Sequence, residues 1–145
     1  MKSILKNFAA VIAGFILASA IMMIIESING KVFYPELAKA AEGIKDREAM
    51  RALFANAPIG SLLVVIVGWF LGSAAGCWLC RKIAGSEAQL PRAVMVLGAL
   101  LVFAGVANNL MMPPPLWFWI AGLVALAGGS YVGGRQNKLA IATSM

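Results

Sequence analysis

The sequence predicts an all-α integral membrane protein: a four-transmembrane-helix bundle with short amphipathic helices in the outer loop. Three observations predict it. Apolar runs without a charged side chain recur at Phe8–Ile25, Ala57–Cys80, Ala93–Met111 and Leu116–Gly134. At about 1.5 Å per residue, such runs match a hydrocarbon core of about 30 Å. With 61% hydrophobic residues and a mean hydropathy of +0.87, the 145-residue chain has too little polar surface to cover a soluble globule. The runs are also continuously apolar, as in Leu62–Val67 and Leu97–Val102. Barrel strands, the other way to satisfy backbone groups in lipid, would alternate apolar and polar residues. The expectation is one membrane domain, 1–145, with helices at about 7–26, 57–80, 92–112 and 116–134 and an outer loop at 27–56.

Lys2 and Lys6 precede the first run, which contains Ala18-Ser19-Ala20, a triplet of the kind signal peptidase reads. The run continues through Ile21–Ile25, a length that suits a span better than a cleaved signal. Ala10, Gly14 and Ala18 form a small-residue stripe along it.

In the outer loop, Leu37, Ala40, Ala41 and Ile44 recur at helical spacing, as do Met50, Leu53, Phe54 and Ala57. Gly43 can close the first piece and Asp46 can N-cap the second. Two short amphipathic helices are expected, lying on the bilayer surface or against the bundle mouth; a solvated hairpin is the alternative.

The second span carries the strongest packing pattern, Gly68-x-x-x-Gly72-x-x-x-Gly76, a glycine zipper with Gly60 on the same face. The fourth repeats it as Ala121, Ala125, Gly129 and Gly133. Lipid tails are as apolar as leucine, so helices associate in membranes through close backbone approach. These stripes serve either the bundle itself or a homodimer, and packing within the bundle is the expectation.

Between the third and fourth runs, Pro113-Pro114-Pro115 ends the helix and forces an extended turn. Trp117, Phe118 and Trp119 follow at headgroup level, matched by Phe33 and Tyr34 after the first span. Trp78 and Tyr131 belong to the opposite interface.

Four spans put Lys2, Lys6, Arg81, Lys82, Arg92, Arg135 and Lys138 on one side. Lys31, Lys39, Lys45, Arg47 and Arg51 lie on the other, among Glu26, Glu36, Glu42, Asp46 and Glu48. The basic residues close to span ends place both termini in the cytoplasm. The net charge of +6 is thereby explained without nucleic acid, for which no basic patch interleaved with aromatics exists.

Little in the chain supports catalysis. There is no histidine, P-loop, dinucleotide fingerprint or nucleophile elbow, so no enzyme activity, cofactor or metal is expected. Cys77 and Cys80 form a CxxC, whose spacing serves redox exchange in some proteins. A second cysteine pair to pass electrons onward is missing, and Arg81-Lys82 sets the pair at the reducing side, so small apolar packing is the plainer role. Met22, Met23, Met111 and Met112 reach a similar depth, where thioethers bind Cu(I) or fill gaps; gap filling is expected.

Glu26, an acid closing the first span, is the candidate of most interest, because ionisable groups at membrane depth are costly and often mark function. With Asn29, Asn56, Asn108 and Asn109 it could form a polar vestibule accepting a proton or cation. Because Glu26 lies at the span's edge and not the midplane, the expectation of the two is that it simply reaches headgroup water.

Two stretches carry a resemblance. Glu26-Ser-Ile-Asn-Gly-Lys-Val-Phe-Tyr34-Pro35, and Gly105-Val-Ala-Asn108-Asn-Leu-Met111-Met-Pro113-Pro-Pro115-Leu-Trp117, resemble a group of small uncharacterised bacterial four-span inner-membrane proteins. Members of that group often show His and Pro-x-Pro where this chain has Asn29-Gly30 and Pro35-Glu36. The resemblance implies the bacterial inner (cytoplasmic) membrane and carries no activity with it.

Two functions are then expected. The leading one is a non-enzymatic membrane protein acting through helix packing with itself or a membrane partner. The alternative is a small proton- or cation-linked transporter or channel using Glu26 and its neighbouring asparagines.

Overall fold

A computed structural model describes residues 1–135; Lys138, expected beside the last span, lies outside the described residues. The chain is all-α: four long apolar helices packed as a bundle, with short helices between the first two. In order these are α1 (Lys2–Ile28), continued by a π-helical turn (Asn29–Phe33), α2 (Pro35–Ala41), α3 (Arg47–Ala55), α4 (Ile59–Ala84), α5 (Arg92–Met111) and α6 (Leu116–Gly134).

Each boundary has a local cause. The turn after α1 ends at Tyr34, before the proline that opens α2. Past α2, Gly43 adopts φ 78, a left-handed conformation that costs glycine nothing. The Asp46 carboxylate accepts the Ala49 N–H at 3.1 Å, capping α3 as its position suggested. Gly85, at φ 62, closes α4, and its N–H donates to the Arg81 carbonyl. Pro58, Pro91 and Pro115 each stand immediately before a long helix, where the missing N–H costs no helical bond.

The bundle is organised around α4. It packs most extensively against α1 on one side and α6 on the other, while α5 leans on α6 and touches α4 and α1 more lightly. The pairings fix the directions. Gly14 meets Gly76 and Ile25 meets Gly68, so α1 and α4 are antiparallel. Gly122 meets Trp69 and Gly133 meets Ala74, so α4 and α6 run the same way. Gly98 meets Ser130 and Gly134 meets Val94, so α5 opposes α6. The start of α1, the α4–α5 link and Arg135 therefore share one end of the bundle.

Close approach is concentrated at the glycines. A Cβ on Gly72 would lie 2.8 Å from the Ala18 carbonyl oxygen, and one on Gly14 would lie 2.6 Å from that of Gly76. Cβ atoms at Gly76 and Gly133 would run into the Gly14 and Ala74 carbonyls. Gly129 lies as tightly against Phe70 and Ser73. The Gly68, Gly72 and Gly76 face is thus spent on α1, and the Gly129 and Gly133 face on α4.

Outward, the long helices expose hydrocarbon: Phe8, Ile16, Val67, Phe103, Ile120 and Val124 are all open. Together with four helices long and apolar enough to cross a membrane, this defines a small polytopic membrane protein in contact with the lipid bilayer. At the end bearing Arg135, Lys82 sits 5.7 Å from the Trp78 ring centre and Arg135 5.8 Å from that of Tyr131. Arg81 bridges the same end, its guanidinium donating to the carbonyls of Ser86, Ala88, Gln89 and Gly134 at 2.8–3.2 Å.

Candidate polar site around Glu26

Glu26 does not stand at the end of its helix. The π-helical turn carries α1 onward to Phe33, so Glu26 lies about 10 Å short of that end at ~1.5 Å per residue. The antiparallel register with α4 then sets it beside Trp69. The indole Nε1–H donates to Glu26 Oε1 at 3.1 Å. Trp69 itself lies about 15 Å along the ~39 Å axis of α4, away from either terminus. The carboxylate is therefore tied to the body of the bundle.

Trp69 is a pivot of the core, only 4% exposed. Its ring lies over Gly122 and Gly105, whose missing side chains make room for it. It meets Phe118 edge to face, with centroids 5.4 Å apart and planes at 71°. Packing from α5 and α6 thereby fixes the indole that holds Glu26.

Glu26 opens into two clefts. One, of about 280 Å³, lies between α1, α4 and α5 and is walled by Phe15, Met22, Met23, Trp69, Leu101 and Leu126, with Ser19 and Asn108 as its other polar groups. The second, of about 160 Å³, lies toward the α3 side and is lined by Glu26, Phe54, Leu62, Asn108, Asn109 and Phe118 among others. Neither contains a lysine or arginine. Asn109 is 0% exposed, and both polar atoms of its carboxamide lack a hydrogen-bond partner. That is an unusual state for a buried amide, which ordinarily loses about 1–3 kcal/mol when unpaired.

The five polar residues expected at a vestibule thus separate. Glu26, Asn108 and Asn109 come together. Asn29 does not join them: it is buried between α1 and α4 and donates through Nδ2 to the Ser61 carbonyl at 3.0 Å. Asn56 is exposed and ties back to the Ala52 carbonyl at 2.9 Å, finishing α3. The methionines part as well, Met22 and Met23 lining one cleft and Met112 the other, while Met111 is exposed.

Trp69 and Phe54 were not legible as site residues. Trp69 sits inside an apolar run and gains its role only from the α1–α4 register. Phe54, on the apolar face of α3, reaches the cleft because the outer loop folds over the bundle mouth.

Cys77 and Cys80 are both free and 0% exposed. Cys80 lies under the Gly14 contact, 3.0 Å from where a Cβ there would stand. Among the described residues no group of three or more Cys, Asp or Glu side chains gathers in a way that could hold a metal.

Comparison of the chain with protein-family models, with curated proteins and with solved structures finds no match.

Proposed function

We propose that this is a small, non-enzymatic carrier or channel, linked to protons or cations, whose working group is the Glu26 carboxylate. The observation that carries the reading is the placement of Glu26 beside Trp69, between two clefts and without a basic partner. An ionisable side chain on a membrane-spanning helix, away from its ends, is costly to keep and is a functional site by default. A carboxylate there has two stable conditions, neutralised by a proton or by a bound cation, and exchange between them couples the two. The buried, unpartnered Asn109 in the adjoining cleft supplies a donor and an acceptor along the same route.

The reading in which the chain acts through its glycine faces on itself or a partner needs those faces free. Gly68, Gly72, Gly76, Gly129 and Gly133 are already in contact with α1 or α4, so the polar site is the better supported of the two. The basic residues gathered at the end shared by Lys2, Lys6, Arg81, Lys82, Arg92 and Arg135 favour that end as cytoplasmic. The likeness of the Glu26–Pro35 and Gly105–Trp117 stretches to small bacterial proteins favours the inner membrane.

The test uses purified protein in proteoliposomes with an imposed pH gradient. Addition of external potassium or tetrapropylammonium, either of which suffices for this reading, is expected to collapse the gradient with the wild type but not with Glu26→Gln. The two proteins should melt alike in detergent, since Gln keeps an oxygen for the Trp69 N–H. Equal traces for wild type, variant and empty vesicles would remove the proposal.

A further inference from the structure

We infer that the cleft between α1, α4 and α5 is a binding site for a small organic cation, an ammonium carrying hydrocarbon; the inference rests on Glu26 being the working acid. The argument is one of mismatch between the cleft's single charge and its walls. Glu26 supplies one negative charge, and no lysine or arginine lines the cleft to neutralise it. Among the described residues the one ion pair is Lys39–Glu36, on the surface of α2. The rest of the lining is mostly hydrocarbon, aromatic ring and thioether, with Asn108 and Ser19 as the other polar side chains.

A hydrated inorganic cation fits this badly. Hard divalent cations take about six to eight oxygen ligands, and what the cleft does not supply must stay as water. Walls of Phe15, Met22, Met23, Leu101 and Leu126 give such water nothing to bond. An alkylammonium needs only one counter-charge. Its methylene groups gain by leaving water for these walls. Methionine, flexible and polarisable, adapts to varied hydrocarbon shapes. The cleft's volume of about 280 Å³ lies at the small end for ligand sites, roughly 300–1,000 Å³, which sets the size class of the cation.

The second cleft adds an independent element. It shares Glu26 and Asn108 with the first, but it ends on Asn109, fully buried with its carboxamide unpartnered. The carboxylate thus stands where two mostly apolar chambers meet, the second of which adds the Asn109 carboxamide. A cation held by Glu26 has its hydrocarbon in the first, with the Asn109 carboxamide beside it in the second.

The probe is tetrapropylammonium, titrated by calorimetry into detergent-solubilised full-length protein, with KCl at equal concentration as control. Saturable binding is expected, weakened by roughly 100-fold in Glu26→Gln, the scale for removing one partner of a desolvated charged contact. Ala104→Phe, which adds bulk to the cleft wall one turn of α5 before Asn108, should abolish it. Potassium should not compete. Thermal melts of both variants accompany the titrations, so loss of fold is recognised, and Ala104→Phe decides the matter if Glu26→Gln does not fold. Equal competition by potassium overturns the inference, and so does unaltered binding to Ala104→Phe. If wild type fails to bind while the Glu26-dependent collapse of the pH gradient persists, the organic-cation inference falls and the Glu26 reading stands. If both are missing, both fall.

Discussion

Helix α1 meets two neighbours in opposite ways. Against α4 it is closed: Gly14, Ala18 and Met22 pack onto Gly72 and Gly76 so tightly that a methyl group has no room. Toward α5 it packs Gly14 on Leu97 but opens farther along, leaving a cleft of about 280 Å³ with Glu26 in it. The same helix therefore carries a seam that bears the fold and a face that borders the cleft. Small residues bring backbones together where lipid offers no hydrophobic drive. The open face keeps the larger Phe15 and Met23, which leave space around a carboxylate, with Met22 at the border of the two.

The contrast is broken most severely by filling the seam. Gly76→Leu or Gly133→Leu would drive side chains into the Gly14 or Ala74 backbone, which cannot rotate away. Overpacking of this kind costs about 1–3 kcal/mol and more where backbone must move, so loss of a monodisperse, folded protein in size-exclusion chromatography is expected. Gly128→Leu is the control. A Cβ there meets only Phe70, at 4.0 Å, and the variant should melt with the wild type.

Next in size is Arg81, which fastens the α4–α5 link and the end of α6 through four backbone carbonyls. Hydrogen bonds from charged groups are worth about 1.5–3 kcal/mol each, and those to the exposed link count least. Arg81→Ala should cost roughly 2–3 kcal/mol in the thermal melt. Arg81→Lys should recover little, because an ammonium lacks the planar fork that reaches several carbonyls at once.

A smaller effect tests how the two faces communicate. Trp69→Phe keeps an aromatic ring against Phe118 and Gly122 but removes the N–H that holds Glu26. About 1 kcal/mol of stability is at stake, the usual net value of one hydrogen bond. The cation-driven collapse of a pH gradient should change far more than the melting temperature. Equal, small changes in both would make Trp69 a packing residue alone.

The spans were legible because hydropathy is a local property: each run carries its own evidence, and so do Gly43 and Asp46 at the ends of the short helices. The depth of Glu26 was not local. The charge marks the end of an apolar run, yet the helix continues through Asn29–Phe33 because the backbone can add a π-helical turn before Pro35. Asn29, Asn56 and Asn109 illustrate the same limit. Asn29 and Asn56 flank apolar runs and Asn109 lies near the end of one, and sequence alone gives no reason to separate them. Their fates depend on which carbonyl stands opposite: Ser61 for Asn29, Ala52 for Asn56, and none for Asn109. Glycine spacing marked the seams, while the choice of partner required the register.

Asn109 gives the prediction with the smallest cost to the fold and the sharpest consequence for the comparison. A buried carboxamide with two unpartnered atoms is a liability in a structure selected for stability alone. Leucine has nearly its shape and no polar atom to satisfy, and its neighbours Leu62, Val65 and Phe118 are apolar. Asn109→Leu should therefore leave the melting temperature unchanged or raise it, with a gain of up to about 1–2 kcal/mol in the unfolding free energy. If Asn109 serves the route past Glu26, the same substitution should slow the collapse of the pH gradient severalfold. A protein made more stable and less active by one change would identify the carboxamide as kept for function. A loss of stability of more than about 1 kcal/mol would instead assign Asn109 to the seam and narrow the site to Glu26 and Asn108.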